Sequence, residues 1–439
     1  MYNEVDYDKK LGIYKPSFFY IELDVGTEFA DILKNTSSLS VFFHEYIHFL
    51  QDILTINGIN NTRSIFLLLQ NAISFMQQSK NGIKSLPHYF PSKNKIDYKS
   101  IIQYTYGNND KNIFKMLNNS SKIIKITPEK NILYNKPIMT YYITFDNIQF
   151  KYQLGTRDIK EGMAFFLQEW VFGKDIPIPP IFPYKTIEML VNYFSPNSFP
   201  EKIYLIALCE LSLTCANPMM FFIETLEVFS QEGYVPNNIN DFEKKVMLGR
   251  KIDCNDIIYD DCKVLYNYLV DELINQYKVL LNNDLFSDTI SWLNILLENS
   301  KHIIYNKTLP ITMLFISDGK KYFQQTVTDI LGSPIIYLKG KRRGHFFDVH
   351  GASGNLYFLR VLERFMHSLY YGTSCWLDEY CKEICTSLQI DDYTDDNCRK
   401  YPTRRIRPNA NCPFVYICDL FGLPEDVEFS KYSEKPNFA

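Results

Sequence analysis

The stretch Val41–Asp52, VFFHEYIHFLQD, sets two histidines and a glutamate into an otherwise apolar and aromatic run. The chain holds only seven histidines, so placing His44 and His48 four apart in a segment built for burial demands a reason. On an α-helix, residues four apart share one face, roughly 6 Å apart along the axis. Both imidazoles can therefore converge on one ion at about 2.0–2.1 Å. Glu45 is offset by one position, which sets its carboxylate beside that ion, where it can take a proton from a water at the metal. The alternative is a buried helix that merely contains two hydrogen-bonded histidines. It leaves Glu45 unexplained, because burying an unpaired carboxylate is costly and a nearby dication removes that cost.

Working outward, Asn35–Ser38 (NTSS) offers helix N-caps, so the pattern predicts a helix from about Leu39 to Ile56 that stops near the Asn-Gly and Asn-Asn pairs at 57–61. A second helix is expected over Ser64–Gln78, and a short strand over Ser17–Leu23. Residues Ile123–Leu154 alternate aromatic or β-branched side chains with polar ones and are broken by turn residues, the pattern of a small antiparallel sheet. A helix should follow from about Asp158, then a boundary at the proline-rich Ile176–Pro183 and further helices to about Leu297. The C-terminal third opens on the Gly-rich and polar segment Gly332–Asn355, expected to be a functional loop or hairpin.

A catalytic zinc takes three protein ligands and leaves a position open, so a third ligand is expected outside the first helix. The best candidate is Glu161, followed by Gly162 and Ala164, whose small side chains would let its helix approach the His44–His48 helix closely. Here the chain resembles the gluzincins, zinc peptidases in which the H-E-x-x-H helix is joined by a glutamate from a second helix, often in an EGxA pattern; Glu161–Phe166 (EGMAFF) is similar. The resemblance covers only these two helices. It implies that His44, His48 and Glu161 bind Zn²⁺ and that Glu45 is the general base. A zincin-like core is expected at 1–175, including the inserted sheet; the pattern beyond it is read as a helical lobe at 176–300 and a C-terminal α+β lobe at 301–439. The fold class expected is α+β and predominantly helical.

Several residues compete for supporting roles. Gly155–Asp158 (GTRD) also resembles the third-ligand segment of aspzincins, which makes Asp158 a rival ligand, or else a helix N-cap; Glu169 is a further rival. Asp52, four residues after His48, could orient an imidazole or simply end a helix in solvent. His345 and His350 could polarise a substrate carbonyl or merely pack beside Phe346 and Phe347. Cys381 and Cys385 could share a helix face and bind a second metal, but no cysteine pair has C-x-x-C spacing and buried thiols are the stronger expectation.

Composition bounds what this site could serve. Hydrophobic residues make up 46% and charged residues 22% of the 439, which suits a packed chain and argues against extended disorder. A net charge of −4 carries no global footprint for nucleic acid or an anionic membrane. The clusters Lys339–His345, Arg399–Pro408 and Asp391–Asp396 read as local charged surface. Residues 1–15 lack the basic start and apolar core of a signal peptide, and Ile203–Ile223 is interrupted by Glu210 and Asn217-Pro218, so two buried helices are expected there instead of a membrane span. A cytoplasmic location follows as the expectation, with the ten cysteines kept as thiols. The function expected is a zinc metallopeptidase acting on a protein or peptide substrate, restrained by narrow substrate choice, a regulatory protein partner or occlusion of the cleft. A non-peptide amide hydrolase and a non-catalytic, zinc-stabilised binding or sensor protein stand as alternatives.

Overall fold

The computed structural model describes residues 11–77, 122–173, 176–315, 330–344, 357–371 and 412–423, apart from short gaps inside these ranges, together with residues 107, 319, 323, 381 and 382. The chain forms two compact units, each drawn from three separated stretches. One comprises Met1–Arg63, Lys99–Ile274 and Leu293–Gly351; the other comprises Ser64–Tyr98, Asn275–Trp292 and Ala352–Ala439.

In chain order the elements are β1 (Gly12–Lys15), β2 (Tyr20–Leu23), α1 (Thr36–Leu54), α2 (Ile56–Gln77), β3 (Ile123–Leu133), β4 (Lys136–Phe145), β5 (Ile148–Leu154), α3 (Thr156–Phe172), α4 (Thr186–Phe194), α5 (Lys202–Ser212), α6 (Pro218–Glu232), α7 (Ile239–Met247), β6 (Ile252–Cys254), β7 (Ile257–Tyr259), α8 (Cys262–Leu280), α9 (Ser287–Asn306), α10 (Pro310–Phe315), β8 (Ile335–Leu338), β9 (Arg343–Gly344), α11 (Tyr357–Tyr371) and α12 (Pro413–Leu420). The fold is α+β and mostly helical, as expected.

The central helix of the first unit is α1. The Asn35 side chain accepts the Ser38 amide at 3.0 Å and starts it as an N-cap. Almost every later residue is buried, so the apolar character runs all round the helix instead of along one stripe. Its rings pack against neighbours, edge-on for Phe43 against Phe172, Phe49 against Phe19 and Tyr14, and Phe43 and Tyr46 against Phe323, and tilted for Phe42 against Phe323. Each buried aromatic of this kind contributes about 1.5–3 kcal/mol by leaving water. This is a helix held by its surroundings.

Around it, β3–β4–β5 forms the antiparallel sheet read from the alternation. A second sheet runs β1–β2–β8–β9, with β1 antiparallel and β8 parallel to β2. Strand β8 begins inside the segment expected to be a functional loop. Helices α5 and α6 are the two helices expected over Ile203–Ile223; no described helix is long and apolar enough to cross a membrane. The second unit has its own aromatic contacts, Phe365 with Phe414 and Phe421, and Phe66 with Tyr277.

Two boundaries differ from the sequence reading, for identifiable reasons. Helix α2 starts at Ile56, not Ser64, because the residues read as breakers are used otherwise: the Thr55 hydroxyl accepts the Gly58 amide at 3.0 Å, and the Asn57 amide bonds the Leu213 carbonyl at 2.9 Å. Residues Ser17–Phe19 form a turn, not the start of β2, with Ser17 and Phe19 at φ 68° and 51°. Such values are unfavourable for a bulky side chain. Burial of the Phe19 ring against Phe49 and capture of the Ser17 amide by Asp52 hold the turn in place.

Candidate metal centre

Helices α1 and α3 pack side by side, and their contact brings together His44, His48 and Glu161. Glu161 Oε2 lies 3.3 Å from Nε2 of His44 and 3.3 Å from Nε2 of His48, and one ligand atom from each residue falls within 4.8 Å of the others. This group could hold a metal ion. The donor chemistry fits: bonds of about 2.0–2.1 Å at tetrahedral angles set ligand atoms roughly 3.3 Å apart, which is the spacing of both imidazole–carboxylate contacts. His48 and Glu161 keep 14% and 18% of their side-chain surface in solvent, whereas His44 is buried.

The charges are coupled across this contact. Burial alone would raise the Glu161 carboxyl, but the imidazoles, His48 foremost, hold it well below the usual carboxylate range. Burial disfavours a charged His48, yet the Glu161 carboxylate outweighs it and lifts that ring to about 9. A proton and a metal ion therefore compete for the same atoms.

Glu45 sits beside the trio and not in it. Its carboxylate is buried and accepts the Tyr14 amide at 2.6 Å. Burial raises its pKa, against the opposing pull of His44 and His48. Strand β1 passes close beside it at Gly12: a Cβ there would lie 2.7 Å from Glu45 Cγ, 2.8 Å from Oε1 and 3.0 Å from Val41 Cγ1.

The rival residues are engaged elsewhere. Asp158 is buried at the start of α3, where it accepts the Tyr152 hydroxyl at 2.7 Å and the Gly155 amide at 3.0 Å; burial pushes it to about 6. The N-cap position itself is occupied by Gly155, with Asp158 three residues later. Glu169 pairs with Lys202 on a half-exposed face. Asp52 does not orient an imidazole: it accepts the Ser17 amide at 3.0 Å, the Tyr14 hydroxyl at 3.2 Å and the Lys160 ammonium at 2.9 Å. The room made by Gly162 also serves a different neighbour from the one expected. A Cβ there would meet Ile187 Cγ1 at 2.8 Å, so the glycine admits α4 and not α1. His345, His350 and Cys385 lie outside the described residues.

The sequence reading missed the residues that lock the two helices together. Gln51 bonds His48 Nδ1 at 2.9 Å and the Lys160 carbonyl at 3.0 Å; Lys160 also bonds Asp52; Gln168 bonds the Ser40 carbonyl at 2.9 Å. Of these only Gln51 carried a local signal, its position three residues after His48. The Tyr184 ring stands 5.6 Å from the His44 ring. No family model, curated protein or solved structure matches the chain.

Proposed function

We propose that the chain is a zinc-dependent metallopeptidase of zincin type. The observation that carries this reading is the convergence of His44, His48 and Glu161, with Glu161 Oε2 at 3.3 Å from both imidazole Nε2 atoms and the Glu45 carboxylate beside them. Two imidazoles and one carboxylate are a donor set of catalytic zinc sites that Fe(II) sites share; the Glu45 carboxylate beside them, placed as a base, favours zinc, which would supply a Lewis acid for the scissile carbonyl and lower the pKa of water. Glu45 acts as the general base, taking the proton of the attacking water and handing it to the leaving amine. A carboxyl raised by burial is suited to both transfers. The Tyr14 amide fixes its carboxylate, so little reorganisation is needed at the moment of reaction.

The bond from the Tyr14 amide to Glu45 also favours a second reading, in which Glu45 clamps strand β1 to helix α1 and the centre stabilises a binding or sensor protein. Glu45→Gln separates the two, since an amide oxygen can still accept from Tyr14. Zinc-loaded wild type and variant are compared on a degenerate library of fluorescence-quenched peptides, with zinc content and melting followed in parallel. The peptidase reading expects zinc and stability retained and cleavage reduced by roughly 100-fold or more. No cleavage by zinc-loaded wild type overturns it in favour of the structural reading, and equal cleavage by both removes Glu45 as the base; cleavage of simple N-acyl amides alone makes the chain a non-peptide amide hydrolase.

A further inference from the structure

We infer that Gln51 is the positioning residue of the metal centre: it fixes His48 as the tautomer that presents Nε2 to the ion, and it ties that ring to the backbone beside Glu161. The inference rests on reading the His44, His48 and Glu161 group as a metal site. Gln51 lies on α1, three residues after His48, with no solvent exposure. Its two polar atoms face different partners, Nε2 at 3.0 Å from the Lys160 carbonyl and Oε1 at 2.9 Å from His48 Nδ1. The orientation of the amide is fixed by this arrangement. A carbonyl oxygen only accepts, so the atom facing Lys160 must be the NH₂ group, and the atom facing the imidazole must be the oxygen.

That oxygen also only accepts, so His48 Nδ1 must carry a proton. A neutral imidazole has one N–H, so its lone pair then stands on Nε2, the atom 3.3 Å from Glu161 Oε2. The Nδ1–H bond persists whether the ring is charged or ligates an ion. A carboxylate commonly holds this place beside metal-bound imidazoles. The carboxylate that follows Gln51 on the helix, Asp52, is committed to Lys160, Tyr14 and Ser17. A neutral amide at 51 fixes the ring without adding a negative charge, which leaves Glu161 as the anionic ligand that sets the charge of the centre.

Because Lys160 immediately precedes Glu161, the same amide also sets the distance between the second histidine and the third ligand. Two variants separate tautomer control from a mere tie between helices. Gln51→Met keeps length and removes both bonds, whereas Gln51→Glu keeps the acceptor for Nδ1–H and loses the donor to Lys160. Zinc affinity is read for each full-length protein by competition with a chromophoric chelator, melting is read on the metal-free forms, and the His48 ring nitrogens are read by ¹⁵N NMR on zinc-loaded wild type.

Gln51→Met should weaken zinc by about 10–100-fold, and Gln51→Glu should stay within about threefold of wild type, although both melt lower. Wild-type His48 should show Nε2 ligated and Nδ1 protonated. Equal weakening in the two variants reduces Gln51 to a tie between helices, while unchanged affinity in Gln51→Met, or ligation through Nδ1, overturns the inference and leaves the metal reading standing. If wild type binds no zinc, the metal reading itself falls, and the inference with it. The NMR result on wild type decides the tautomer even should Gln51→Met fail to fold.

Discussion

Gly12→Ala tests the approach of strand β1 to Glu45. The added methyl would stand 2.7 Å from Glu45 Cγ and 2.8 Å from Oε1, whereas carbon atoms pack best at about 3.5–4.0 Å. Something must move by about 1 Å. If the carboxylate swings away, it leaves the Tyr14 amide, a buried hydrogen bond to a charged group that contributes about 1.5–3 kcal/mol. If the strand lifts instead, overpacking costs about 1–3 kcal/mol. Either way the variant should be destabilised by about 2 kcal/mol, read as a lower denaturant midpoint at unchanged slope. The double variant Gly12→Ala with Glu45→Ala removes the obstructing carboxylate, so the two substitutions should not add. Their coupling should exceed the roughly 0.3–0.5 kcal/mol typical of independent sites. Additive effects, or an unperturbed single variant, would refute the claim that glycine is required there for close approach. Zinc binding should survive Gly12→Ala, because the atoms nearest the added methyl belong to Glu45 and Val41 and not to His44, His48 or Glu161. Peptide cleavage, under the proposed function, should fall by roughly 100-fold from misplacement of the base.

Two further outcomes are expected. Against a competing chelator, Glu161→Gln should lose zinc far more than Asp158→Asn or Glu169→Gln; release by Asp158→Asn with retention by Glu161→Gln would reassign the third ligand. Glu210 gives a pH test away from the site: it is buried, accepts the Ile311 and Thr312 amides at 2.8 and 2.7 Å, and burial raises it to about 7 from an ordinary 4.5. A folded-state pKa raised in this way gives stability that is present below about pH 4.5 and lost as pH rises through 7, at most about 3 kcal/mol. Relative to Glu210→Gln, which lacks this titration, wild type should therefore be more stable at pH 5 than at pH 8. A gap between the two proteins that is constant with pH, or that grows toward alkaline pH, contradicts it.

Local periodicity was enough to read α1, the β3–β5 sheet, α3 and the pair α5–α6, because each depends on residues a few positions apart. The spacing of His44 and His48 placed both rings on one face for the same reason. Choosing among Asp158, Glu161 and Glu169 was a different matter. Which face of α3 meets α1 depends on how that helix is rotated, and its neighbours come from distant segments: Gly162 against Ile187 on one side, Gln168 against Ser40 and Lys160 against Asp52 on another. The roles of Gly12 and Tyr14 were equally hidden, since nothing local says that a strand 31 residues before Glu45 will donate to it. Gln51 and Asp52 are adjacent, and the sequence favoured the carboxylate as the partner of an imidazole. Packing decided otherwise, because Lys160 from α3 and the Ser17 turn claimed Asp52 and left the amide for His48. A helix can specify from its own sequence which side chains share a face, but the partners those side chains meet are fixed only when another element docks against it.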